Sequence, residues 1–434
     1  MNRCQFVFAM LLLFAPAGSA EDRPRPLLRD FIGLNGHTVQ FKPDLYAPVA
    51  KLIRDYHPLS WDVGDDTTFA TTFPFARNRV DWSRVYGSWV KVGLRVNASV
   101  IFDDIAPGAW KDMARDAEAY GEAFARHFGP SGAALVESAE VGNEPSKYSD
   151  AEYRSIFEGM ARGFRKGDPR LRIAPCALNL GPSGRYSKSV DLLAGLESLY
   201  DVVNIHMYAE VEGWPTWRRS YPEDPKIKFL EHLRSVLTWR AEHAPTKELW
   251  LTEFGWDAST KPAPATGTFA KWVGSTETQQ AQWIVRGWLV MSAMGIDRAY
   301  LYFFNDEDTA HVHGSSGLTR NFQPKPSYHA AAWLQRNLGD YRFSRIIRED
   351  LADSYVYEFT HGTDVQQRVL AVWKPSGADA PTTLPVRPEQ VTRAERMPLS
   401  AAAPESVPAT PAGDDSVQVP AGESPLLIWL RPPL

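Results

Sequence analysis

Between about residues 30 and 340 the chain alternates short, almost continuously apolar runs with longer stretches of helical spacing. The apolar runs fall at 31–37, 59–64, 94–101, 136–144, 171–178, 201–208, 249–256 and 298–304. Such runs read as parallel strands buried on both faces, which lose clean alternation. The helical stretches predict helices at 46–54 (Tyr46, Val49, Ala50 and Ile53 on one face), 82–92 and 116–128 (Tyr120, Phe124, Phe128). Others follow after an N-cap at Asp150 (Tyr153, Ile156, Phe157, Met160), and at 192–199, 229–242, 276–293 and 327–338. Eight strand–helix alternations within roughly three hundred residues predict an α/β chain folded as a (β/α)8 TIM barrel. An open doubly wound sheet also alternates, but no G-x-G-x-x-G follows the first strand or opens any helix.

After about residue 339 the pattern changes to short β-rich runs, clearest at 355–359, 369–373 and 426–430, separated by Pro, Ala, Asp and Gly turns. This predicts a small C-terminal β-sandwich, with the Pro- and Ala-rich stretch 401–415 as a surface excursion. The expected layout is a leader at 1–20, a catalytic barrel at 21–340 and the sandwich at 341–434. The leader rests on Arg3, an apolar core at 6–14 and the small-x-small end Ala17-Gly18-Ser19-Ala20, which predicts cleavage after Ala20. An uncleaved anchor is the alternative; once cleaved, the chain keeps no integral membrane segment. Cys4 leaves with the leader. Cys176 is then the only thiol, so no internal disulfide forms, and it reads as a small buried hydrophobe in a strand rather than a nucleophile. The expected location is secreted or periplasmic.

A net charge of -5 offers no basic face for nucleic acid. Fifteen Trp, 16 Tyr and 21 Phe exceed what the core requires; large core residues of a big barrel account for most of them, and the rest suit flat faces for sugar rings. No cofactor pattern is present, and nothing in the pattern specifies an oligomeric state.

The candidate chemistry lies at two strand tips. Gly142-Asn143-Glu144-Pro145 closes the fourth run, and Thr252-Glu253-Phe254-Gly255-Trp256 closes the seventh. In a barrel, the C-terminal strand ends carry the active site. Two carboxylates meeting there point to glycosidic-bond cleavage. Gly142 permits an unusual backbone and Pro145 stops the ladder. Glu144 then requires burial to act as a proton donor, and Asn143 can offer an amide N–H to a neighbouring sugar hydroxyl. Glu253 must stay ionised, which calls for donors; His206 and Tyr208 project on one face of the adjacent sixth strand. Taken singly, Glu144 can also be a structural ion pair and His206 a satisfied core residue. Trp61, Asp62, Trp110, Trp214, Trp217, Trp256, Phe303, Asn305 and Asp306 fall at or just beyond strand ends and are candidates to grip substrate. The run 305–308 with His311 and His313 fits no metal-ligand spacing and reads as a solvated polar loop.

These motifs resemble clan A of the retaining glycoside hydrolases: Asn143-Glu144-Pro145, His206-x-Tyr208, Thr252-Glu253-Phe254-Gly255, and the closing runs 317–320 and 324–330, similar to family 39-like and family 5-like members. The resemblance covers about residues 30–340. It implies that Glu144 is the acid/base, Glu253 the nucleophile, and that Asn143 binds the sugar 2-hydroxyl. The implied activity is β-glycosidic cleavage of an oligo- or polysaccharide, with an exopolysaccharide or cell-wall glycan as candidates. Two positions depart from the clan. Its arginine near the end of the second strand is replaced by Ser60-Trp61-Asp62, with His57 or Arg95 as substitutes, and its eighth-strand aromatic is Phe303 or Phe304. The rival readings are a carbohydrate-binding barrel without turnover, which two such carboxylates disfavour, and a metal hydrolase built on the loop after the eighth strand.

Overall fold

A computed structural model of the chain describes residues 23–37 and 42–431. The leader expected at 1–20 lies outside these residues. Eight parallel strands form the central sheet: β1 Ile32–Asn35, β2 Leu52–Pro58, β3 Arg95–Ile101, β4 Ser138–Val141, β5 Arg172–Pro175, β6 Val202–His206, β7 Glu248–Phe254 and β8 Arg298–Leu301. Their order is 5-4-3-2-1-8-7-6. The sheet closes where Asp201 N donates to Ile173 O at 2.8 Å and Asn204 Nδ2 donates to Pro175 O at 3.0 Å. Beyond a break at Cys176 and Ala177, Leu178 pairs with Ile205 of β6. Pro175, which lacks an N–H, stands at this break. This is the (β/α)8 barrel that the alternation predicts.

The second strand differs from the expectation. The 46–54 segment is not a helix: one helical turn covers Pro43–Tyr46, and β2 begins at Leu52. Tyr46, Val49, Ala50 and Ile53 are all buried, as their spacing suggests. However, they come from a turn and a strand converging on one core, and a short window cannot distinguish that from one helix face. The 59–64 run is in turn a short helix, Leu59–Val63, ended by Gly64 at φ 64°. The tip of the second strand therefore lies several residues earlier than predicted. The 192–199 helix reduces to a 3-10 turn, Val190–Leu193.

The main outer helices are α1 Trp82–Lys91, α2 Met113–Phe128, α3 Asp150–Gly167, α4 Phe229–His243, α5 Glu277–Met294 and α6 Pro326–Leu338. The N-cap of α3 is Ser149, not Asp150; Ser149 and Glu152 form a reciprocal capping box. Gly159 and Gly163 let α3 lie against the α2 backbone: a Cβ on Gly163 would sit 2.1 Å from Glu118 O.

From Tyr341 onward the chain forms antiparallel sheets of five and three strands. They enclose a core of Val356, Leu370, Val372, Leu384, Val417, Val419 and Ile428. Glu223 joins them to the barrel. It accepts from buried Arg286 of α5 and from Trp373 Nε1 at 2.7 Å, and Arg286 also donates to Pro375 O at 2.8 Å. Among the described residues no helix is long and apolar enough to cross a membrane.

The α2–α3 contact makes a direct prediction. Gly163→Ala forces backbone apart and should cost about 1–3 kcal/mol. Gly87→Ala in α1, whose Cβ would meet nothing nearer than Leu135 at 3.9 Å, should be neutral or stabilising by up to about 1 kcal/mol. Denaturant unfolding of the two variants checks the contrast.

Candidate active site

Glu144 and Glu253 reach one cleft from opposite sides of the barrel mouth. On β4 the alternation points Ser138 and Glu140 inward, and Gly142 at φ 83° turns the chain so that Asn143 and Glu144 follow at the rim. The Phe102 ring packs 3.2 Å from where a Gly142 Cβ would be, so a larger residue fits there neither in space nor in backbone angle. On β7 the register shifts between Leu251 and Glu253, a bulge that re-aims the strand end as it leaves the ladder. One carboxylate oxygen of Glu144, one of Glu253 and one ring nitrogen of His206 all lie within 4.8 Å of one another. His206 Nδ1 is 2.8 Å from Glu144 Oε1 and 3.6 Å from Glu253 Oε2. His206 Nε2 has no partner among the described residues.

Glu253 is nearly enclosed, and each of its oxygens has a donor. Tyr56 O–H donates to Oε1 at 2.6 Å, Arg54 Nη1 to Oε1 at 3.1 Å, and Tyr208 O–H to Oε2 at 3.0 Å. Burial by itself would push this carboxyl up. The His206 imidazole, the Arg54 cation and the Tyr56 hydroxyl outweigh it and hold the carboxyl down at about 2. Burial beside that negative charge raises Tyr56 and Tyr208 well above the ordinary phenol value, so both remain donors. Glu144 is less enclosed than the sequence reading requires: a quarter of its side chain is exposed to the cleft.

Arg54 is the arginine missing from the expected second-strand tip. It sits two residues before Tyr56 on β2, so both face inward, and it is fully buried. Beyond Glu253 it donates to Glu140 in bidentate form at 2.7–3.0 Å, to Asn35 Oδ1 at 2.8 Å and to Asn143 Oδ1 at 2.8 Å. Neither substitute expected from the sequence stands there. His57 is buried between Asp62 and Tyr86, and Arg95 pairs with Asp30 at the opposite end of the barrel. Once 52–58 is read as a strand, the two-residue spacing of Arg54 and Tyr56 is the signal that locates them.

Several residues expected to grip substrate lie elsewhere. Asp62 is buried and saturated by His57, Trp82 Nε1 and Tyr120 O–H, each at 2.7 Å. Trp61 stacks on Trp82 and lines an outer cleft with Asp65, Asp66 and Arg77. Trp256 is core: its indole N–H donates to Ser220 O at 2.7 Å and its ring packs on Phe254 and Trp283. Trp110 donates to Tyr148 O–H, and buried Asn305 accepts from Thr319 Oγ1 and Phe322 N. Asp306 is neutralised by Lys325 at 2.9 Å. Phe303 is nearly buried with its edge on His37, and Phe304 packs on Tyr46. Just past β8, Tyr302 is raised by burial first and then by the charges of Glu253, Asp257 and Glu144. Trp214 is largely exposed on the hairpin after β6.

Two residues that the sequence does not single out, His37 and Arg219, and one that it assigns to a solvated loop, His313, also surround the acids. His37 stacks on Tyr56 at 5.3 Å. His313 packs edge-on against Tyr208 and Tyr302, and burial beside Arg219 lowers it to about 4. The Arg219 guanidinium lies 4.1 Å from the Tyr208 ring centre while donating to Gly255 O and Asp257. All three come from loops or strand ends whose partners are remote in sequence. The polar loop after β8 is therefore not the solvated loop expected: Asp306 and Asp308 are buried, and Asp308 accepts from Ser259 and Thr260 of the loop after β7.

No family model and no curated protein matches the chain. Solved structures do. A family 39 glycoside hydrolase from the gut symbiont Bacteroides cellulosilyticus WH2 superimposes with a TM-score of 0.68 at 17% identity, covering 96% of this chain and 83% of that one. A glucosidase from Croceicoccus marinus gives 0.63 at 14% identity over 95% and 98%. The family 30 subfamily 8 xylanase Xyn30A from Clostridium acetobutylicum gives 0.57 at 12% identity over 92% and 96%. The chain therefore has the fold of the clan A glycoside hydrolases: a parallel barrel followed by a small antiparallel β domain.

Proposed function

We propose that the chain is an exported retaining glycoside hydrolase that cleaves β-glycosidic bonds of an oligo- or polysaccharide by double displacement. The observation that carries this reading is the convergence of Glu144, His206 and Glu253 within 4.8 Å, with Glu253 held by two phenols and a buried arginine. Retaining enzymes keep their carboxyls about 5–5.5 Å apart, whereas inversion needs room for a water between them. Glu253 attacks the anomeric carbon while Glu144 protonates the departing oxygen. Glu144 then takes a proton from water as that water displaces Glu253. The surrounding donors keep Glu253 ionised, as a nucleophile requires. Arg54 fixes the Asn143 amide by binding its oxygen, which turns Asn143 Nδ2 toward a hydroxyl beside the anomeric carbon. Export rests on the leader that the sequence pattern predicts at 1–20. Fold neighbours that include a glucosidase and a xylanase support a glycan substrate, and the exopolysaccharide or cell-wall glycan implied by the sequence resemblance is the proposed class.

A mechanism-based fluoro-glycoside should label the protein, and peptide mapping should find the sugar on Glu253; a label on any other side chain removes this assignment. Glu144→Gln should lower turnover by about 10²- to 10⁴-fold while sugar binding survives. A non-catalytic sugar-binding barrel has no such rate to lose. The acid limb of kcat/KM reports ionisation of Glu253. With that carboxyl at about 2, the limb should lie far below the ordinary carboxylate range. Tyr56→Phe removes a donor from the ionised form, raises the carboxyl pKa, and should move the acid limb to higher pH.

A further inference from the structure

We propose that Glu140, buried beneath the cleft, is a positioning residue that sets how strongly Arg54 holds Glu253 and thereby balances the two half-reactions. This rests on the double-displacement reading above. Arg54 is one cation shared by two carboxylates. Glu140 takes the larger part, with Nε at 2.9 and 3.0 Å and Nη2 at 2.7 Å; Glu253 receives one contact at 3.1 Å. The closest donor to Glu253 is the neutral Tyr56 hydroxyl at 2.6 Å. Asn97 Nδ2 steadies Glu140 from the other side at 2.6 Å and is itself fixed by Ser138. Arg54 and Glu140 are both fully buried.

Holding the barrel together does not by itself call for this arrangement. Buried ion pairs contribute little net stability compared with well-packed apolar residues. Arg54 would also already be paired by Glu253 alone. The consequence of adding Glu140 is electrostatic. An uncompensated arginine against Glu253 would stabilise the free carboxylate, making it a poorer nucleophile and a better leaving group. In the first half-reaction the Glu253–carbon bond forms as the glycosidic carbon–oxygen bond breaks, with the proton coming from Glu144. In the second, water's oxygen bonds to carbon, the Glu253–carbon bond breaks, and Glu144 receives the proton. By drawing Arg54 toward itself, Glu140 favours the first step at the expense of the second.

The test separates the steps. A panel of 2-deoxy-2-fluoro-β-glycosides is applied to the full chain, and the member that labels wild type is kept. Its inactivation rate measures glycosylation, and recovery of activity by the isolated glycosyl-enzyme measures deglycosylation. In Glu140→Gln the ratio of deglycosylation to glycosylation should rise about tenfold, the effect of about one pKa unit on the leaving carboxylate. A parallel loss of both rates, or an unchanged ratio, overturns the proposal. If Glu140→Gln does not fold, Asn97→Ser decides. Losing that donor leaves Glu140 gripping Arg54 harder, so the ratio should fall; an unchanged or rising ratio overturns the proposal. Absence of labelling at Glu253 in wild type would defeat the catalytic reading itself, whereas labelling with no change of ratio defeats only the role given to Glu140.

Discussion

A single buried guanidinium organises the mouth of this barrel. Arg54 cannot be left uncompensated away from water, and its planar fork must be met by acceptors at fixed angles. Those acceptors come from β1 (Asn35), β4 and its tip (Glu140, Asn143) and β7 (Glu253). Meeting them brings the two strand tips with the paired glutamates into one cleft. The same side chain thus satisfies a burial constraint and sets the geometry and charge of the site.

A second layer reinforces this arrangement from the loops. Tyr208 is aimed at Glu253 by its strand, while Arg219 lies against its ring and ties the hairpin after β6 to the chain just past β7. His313 and Tyr302 close the side contributed by β8. Glu253 is therefore surrounded by groups from β2, β4, β6 and the end of β8, and many of the chain's aromatic residues are spent on core packing rather than on the cleft. Rigid placement by packed neighbours is what a preorganised electrostatic site requires, because the donors then do not have to reorient as charge moves.

Identity to the structural neighbours is 17% or lower, although the coverage is nearly complete. A barrel tolerates this because its core asks only for apolar residues of suitable volume at inward and helix-facing positions. The demanding positions are few: a glycine with positive φ before Glu144, a bulge before Glu253, and the arginine beneath both.

Much of the fold was legible from the chain alone, because continuous apolar runs and helical spacing are local consequences of which faces are buried. Both strand-tip glutamates, Asn143, His206 and Tyr208 were legible too, since each stands at the end of a clear run. What failed was the second strand. Tyr46, Val49, Ala50 and Ile53 mimic one helix face, and that misreading hid Arg54 and Tyr56 and put Trp61 and Asp62 in their place. Trp256 and Asn305 were misplaced because proximity to a strand end does not say which way a side chain turns. Local apolar patterning is enough to say which segments are buried, and so to place the barrel and its tips. Which polar groups share the space at its centre follows from barrel closure, because ion pairing between β2, β4 and β7 depends on three-dimensional distances that no local pattern encodes.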